Sequence, residues 1–123
     1  MRFVNPIAFV RDIEVSRAFY RDLLGLTVAE DDGAIVIFEE HFAIHDGAAL
    51  AATVWGDAEP DTASYGRRNV LYYFEDDDID ACFARIKDRV ALIHPIVKQA
   101  WGQRVFRFHD PDGHAVEIGE PLA

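Results

Sequence analysis

Apolar and polar positions alternate in two rhythms along this chain, and the order of those rhythms predicts its elements. Phe3 to Val10 is mostly apolar, with the β-branched Val4, Ile7 and Val10, and reads as a strand. Pro6 cannot donate to a ladder, which suits an edge or an early ladder position. Asp12 opens a helix in which Val15, Ala18, Phe19, Leu23 and Leu24 recur at helical spacing, and Gly25 stops it. Leu26 to Ala29 begins a second strand, Asp31-Asp32-Gly33 is turn chemistry, Ala34 to Phe38 is a third strand and Phe42 to His45 a fourth.

The order then repeats. Residues 47–68 shift to Ala, Gly, Asp, Ser and Thr with Pro60, which predicts a linker holding one helical turn near Ala48 to Thr53. Val70 to Phe74 is an apolar strand, Asp76-Asp77-Asp78 caps a helix carrying Ile79, Cys82, Phe83 and Ile86, and strands follow at Leu92 to Val97, Arg104 to Phe108 and His114 to Ile118. Asp110-Pro111-Asp112-Gly113 reverses the chain between the last two. Laying the halves over each other places Asn5 on Asn69, Val10 on Phe74, Asp12 on Asp76 and Phe19 on Phe83. The expectation is one α+β domain over 1–123, built from a βαβββ module at 1–46, a linker at 47–68 and a second βαβββ module at 69–123.

Composition narrows the partners. With 123 residues, 50% hydrophobic and 28% charged, the chain has the size and balance of one folded domain. A net charge of -10 repels phosphate backbones and anionic membranes, so neither nucleic acid nor membrane is expected as a partner. The same field favours a cationic ligand, although solubility is the plainer explanation. One cysteine, Cys82, allows no intrachain disulfide, and no signal-like N-terminus or bilayer-length apolar run is present, so a cytoplasmic location is expected. Cys82 sits on the apolar helix face as packing. Asp76-Asp77-Asp78 lacks the spaced loop of a calcium site and is read as a cap.

Two segments resemble a known family. Phe9-Val10-Arg11-Asp12-Ile13-Glu14 followed by Ala18-Phe19-Tyr20-Arg21-Asp22-Leu23-Leu24-Gly25-Leu26 is similar to the opening strand and helix of the vicinal-oxygen-chelate superfamily of glyoxalase, bleomycin-resistance and extradiol-dioxygenase proteins. Asp110-Pro111-Asp112-Gly113-His114 through Glu117 resembles its closing hairpin. The resemblance implies a cup-shaped mixed sheet, a homodimer, and ligands from the first and fourth strands of each half. Carried over, these positions are Asn5, His45, Asn69 and Glu117. His45 and Glu117 are donor types for a divalent Zn, Ni, Mn or Fe ion, with Glu117 also as the catalytic carboxylate. Asn5 and Asn69 stand where histidines occur in the family, so the two-histidine facial triad is missing and ring-cleaving dioxygenase chemistry is disfavoured.

A hairpin centred on Pro111 and Asp112 would set Phe106 opposite Glu117, so that Arg104, Phe106, Phe108, Ala115 and Glu117 line the cup while Val105, Val116 and Ile118 pack under a helix. Asn5, Asn69, Trp101, Arg104, Phe106 and Phe108 are then the substrate-binding candidates. Plainer readings stand beside these: His45 as a half-buried strand histidine, Glu117 as an ion-pair partner of Arg104, and His41, His94, His109 and His114 as exposed histidines at strand ends and turns. Trp55, Tyr65 and Trp101 are either ligand-stacking walls or interface anchors. Two functions remain open: metal-assisted lyase or isomerase chemistry on a carbonyl-containing small molecule, and metal-free sequestration of a small ligand in the manner of the bleomycin-resistance proteins.

Overall fold

In a computed structural model, residues 1–56 and 65–122 are described. The middle of the expected linker, including Pro60, lies outside them. The chain divides into two compact units, Met1–Tyr65 and Gly66–Ala123. Each carries a four-stranded mixed sheet with helices, the α+β arrangement of the glyoxalase/bleomycin-resistance-like fold, and neither sheet is closed.

In the first unit, β1 (Ile7–Val10), β2 (Val28–Asp31), β3 (Ile35–Phe38) and β4 (Phe42–Asp46) take the order β1-β4-β3-β2, with β1 parallel to β4 and the other pairs antiparallel. β1 begins at Ile7, so Pro6 precedes the ladder, as its missing N–H requires. α1 (Ile13–Arg17) is capped by the Asp12 carboxylate, which accepts from the Glu14 and Val15 amides, and continues as a π-helical segment over Ala18–Leu23. The buried positions are Ser16, Arg17, Tyr20 and Leu23, whereas Val15 is 50% exposed, so the core face is rotated from the one the apolar spacing predicts. Tyr20 explains the rotation: its ring packs 5.1 Å from Phe42 and 6.1 Å from Phe38. The buried Arg17 guanidinium binds Asp31 at 2.7 Å and Glu14 at 2.8 Å.

The stretch after β4 is not extended linker. Asp46 accepts from the Ala48 amide and starts α2 (Gly47–Trp55), a nine-residue helix where one turn was expected. Alanine has the highest helix propensity, and four alanines in this run outweigh its linker-like composition.

In the second unit, β5 (Leu71–Glu75), β6 (Ala91–Lys98), β7 (Arg104–His109) and β8 (Ala115–Gly119) repeat the order as β5-β8-β7-β6. The cap of α3 (Ile79–Ile86) is Asp78, which accepts from the Ala81 amide, while Asp76 holds the Asp78 amide. Ile79, Cys82 and Ile86 are buried, and burial pushes the Cys82 thiol up from its ordinary range.

The β7–β8 register differs from expectation by one residue. Phe106 pairs with Ile118, Arg107 with Glu117 and Val105 with Gly119. The turn is the cause. The Gly113 amide bonds to the Asp110 carbonyl, Gly113 lies at φ +85°, and the Asp110 amide then bonds to the His114 carbonyl. This is a type I turn followed by a left-handed residue, which holds one residue more than a two-residue reversal on Pro111 and Asp112. Because side chains alternate faces, a slip of one exchanges the two faces of β7. Arg104, Phe106 and Phe108 therefore lie on the α3 side, with Phe106 5.0 Å from Phe83, and Val105 and Arg107 lie on the open side. Gln99 to Gly102 closes β6–β7 the same way, with Gly102 at φ +95°.

Candidate functional site

On the open face of the second unit, β5, β8 and β7 place Tyr73, Glu117 and Arg107 side by side in register. Glu117 is buried at 7% side-chain exposure and accepts a charge-assisted hydrogen bond from Arg107 Nε at 2.6 Å. The guanidinium also reaches His94 Nε2 at 3.0 Å and Gln99 Oε1 at 3.5 Å. His94 Nδ1 faces the Pro95 carbonyl at 2.7 Å. A carbonyl only accepts, so Nδ1 holds the hydrogen and Nε2 presents its lone pair to Arg107.

Beside this pair, Gln103 donates from Nε2 to the Tyr73 hydroxyl at 2.9 Å and to the Glu120 carbonyl at 2.7 Å, while its Oε1 accepts from Trp101 Nε1 at 2.9 Å. Tyr73 donates to Glu75, and burial followed by that hydrogen bond holds its phenol above the ordinary range. Gly119 leaves room for this amide, since a Cβ would fall 2.5 Å from Gln103 Nε2.

On the open face of the first unit, His45 is in register with Phe9 on one side and Ile35 on the other. Its Nδ1 donates to the Asp46 carbonyl at 2.9 Å, which leaves the Nε2 lone pair facing away from that bond. Phe9 stacks on Trp55 at 5.4 Å and lies 6.2 Å from Tyr65. Gly47 lets the Tyr65 ring close in, since a Cβ there would collide with its hydroxyl. Trp55 is 64% exposed, so this aromatic group presents a stacking surface.

The expected site residues separate accordingly. Glu117 reaches the open face of its sheet, with Arg107 rather than Arg104 as its counter-charge. Arg104 is instead bound to Asp80 of α3 and to Glu120, both at 2.9 Å, and these carboxylates raise its pKa. Phe106 and Phe108 are fully buried against α3 and cannot line a ligand site. Trp101 stands 62% exposed in the β6–β7 turn beside a cavity of 420 Å³ shared with Gln103, Glu120 and Leu122. Asn5 and Asn69 each precede their strands; the Asn5 amide donates to the Pro6 carbonyl at 2.9 Å, and Asn69 lines a cavity of 670 Å³. Arg107 and Tyr73 were missed. The position of Gly113, last of its four-residue turn, is the signal that would have given the register and with it Arg107.

The resemblance implies a divalent ion, and the donor set of this unit does not fit one. A cation on Glu117 would have to displace or face the Arg107 guanidinium at the same carboxylate. Among the described residues, no three His, Cys, Asp or Glu side chains form a group that could hold a metal. The second unit offers a fixed ion pair, a protonated phenol and amides on its open face, and the first unit offers an aromatic stack beside an imidazole on its own.

Comparison with known proteins places these features. The Glyoxalase-like domain family matches residues 3–123. A crystal structure of a protein of unknown function from Agrobacterium tumefaciens str. C58 is 60% identical, with 99% of this chain and 95% of that one covered and a TM-score of 0.94. A glyoxalase/bleomycin resistance protein/dioxygenase from Nocardioides is 24% identical over 99% of this chain and 85% of that one, at a TM-score of 0.75. Lactoylglutathione lyase from Agrobacterium tumefaciens is 22% identical over 97% of this chain and 92% of that one, at 0.71. With its family match spanning almost the whole sequence, the chain belongs to the Glyoxalase-like domain family.

Proposed function

We propose that this glyoxalase-like protein binds a small organic molecule on the open sheet face of its second unit without a metal ion, as a ligand-sequestering protein of the bleomycin-resistance kind. The observation that carries the reading is the Arg107–Glu117 pair, because it neutralises within the chain the carboxylate that a metal would otherwise neutralise. The first unit carries a stacking surface of its own in the exposed Trp55 on Phe9.

His45 favours a second reading, metal-assisted lyase or isomerase chemistry on a carbonyl compound, since its Nδ1–H is fixed and its Nε2 lone pair is available for coordination. Elemental analysis of the purified protein, with thermal melts in added zinc, nickel, manganese and iron, separates the two. The metal-free reading expects neither stoichiometric metal nor a shift. A bound ion, or a rise in Tm that His45→Ala removes, would replace it with the second reading.

A further inference from the structure

One cavity on the second unit has a chemistry the ion pair does not use. It is an open pocket of 670 Å³ lined by Arg68, Asn69, Val70, Leu71, Ile93 and His109, together with Ala115. Its floor continues the open face: Leu71 pairs with Ala115 and Ala115 with His109, one row beyond Tyr73, Glu117 and Arg107. Val70, Leu71 and Ile93 are 53%, 46% and 45% exposed, so the floor is apolar surface left in water. The polar groups around it differ from those of the neighbouring row. Among the described residues, neither Arg68 nor His109 has a side-chain hydrogen bond or ion pair.

By contrast, Arg17, Arg21, Arg104 and Arg107 each hold a carboxylate. Arg68 is also in the left-handed region at φ 59°, a conformation unfavourable for a bulky residue. The lining thus brings Arg68, Asn69 and His109 together with the apolar Val70, Leu71 and Ile93.

We infer that this cavity binds a small organic monocarboxylate, its anion held by Arg68 with Asn69 and His109 and its apolar body lying on Val70, Leu71 and Ile93. The inference rests on the small-molecule reading and names the ligand class of that face. A guanidinium matches a carboxylate in two parallel hydrogen bonds. A single arginine in a field of net charge -10 suits one negative charge better than two. Successive rows on one face of a strand are about 7 Å apart, so a ligand longer than that also meets the Arg107–Glu117 row.

The test is an NMR titration of the whole protein with 4-phenylbutyrate and its neutral and cationic counterparts, 4-phenylbutanol and 4-phenylbutylamine. The expected result is that 4-phenylbutyrate shifts the amides of Val70, Leu71, Ile93 and Ala115 and binds about tenfold or more tightly than the other two. Arg68→Gly should weaken 4-phenylbutyrate about tenfold while the melting temperature holds or rises, because glycine suits the backbone at this position. Equal or tighter binding of the alcohol or the amine at these amides would overturn the carboxylate assignment and leave small-molecule binding standing. Shifts from none of the three would overturn the inference. A stoichiometric metal would sink the metal-free reading alone.

Discussion

Arg107 shows how much one side chain can decide. Its partner Glu117 is nearly excluded from water, and an ionised carboxylate there is tolerable only with a counter-charge and hydrogen bonds in place. Removing one partner of such a pair is worse than removing both. Arg107→Met should therefore cost about 2 kcal/mol or more in a urea melt, and adding Glu117→Gln should recover part of that loss. If the double variant were no more stable than the single one, the pair would not be the source of the cost. The side chains that carry the site were only partly legible. Glu117 and His45 could be singled out because the family resemblance marks their strand positions and their residue types are donors. His94, read as an exposed turn histidine, is an acceptor for Arg107, and that role exists only through cross-strand neighbours that a linear pattern does not display.

At the level of elements, strand and helix order was readable because each buries one face and so imposes its period on the sequence. The departures have particular causes. Ala-rich Gly47–Trp55 has propensity for helix but linker-like composition, and the π-helical segment Ala18–Leu23 turns Tyr20 inward by a widened helix that apolar spacing does not encode. The β7–β8 register was missed because Asp-Pro-Asp-Gly can close either as two central residues or as a type I turn with a left-handed glycine, and only the second occurs. Gly113→Ala should then cost about 1 kcal/mol, the strain of a Cβ at φ +85°. Gly66→Ala should cost more, because its Cβ would meet the Gly113 backbone. Equilibrium unfolding of both variants checks the order; an equal or reversed order would mean that the contact relaxes without cost.

Over the whole molecule, acidic excess makes stability depend on its guanidinium pairs. Hydrogen bonds from Arg17 and Arg104 hold the Asp31 and Asp80 carboxyls below their ordinary range. A depressed folded pKa means that the unfolded chain binds more protons on acidification, so this contribution is complete above the unfolded value near 4 and fades as pH falls through the folded one. Melting temperature should hold from pH 7 to about 5 and drop below about 4, and salt should shrink the drop because both carboxylates face solvent. An unchanged acid limb in Asp31→Asn and Asp80→Asn together would assign the drop to other carboxylates. Among the described residues, no helix is long and apolar enough to cross a membrane.

The turn at Asp110–Gly113 has an evolutionary corollary. Surface reversals are where chains ordinarily gain and lose residues most freely, yet here the count of residues sets the parity of everything downstream. Losing one would offer the α3 side Arg107 and turn Phe106 and Phe108 to the opposite face. Length polymorphism in this loop should thus be confined to steps of two, and a single-residue deletion, conservative by composition, would be among the most damaging changes the chain could suffer.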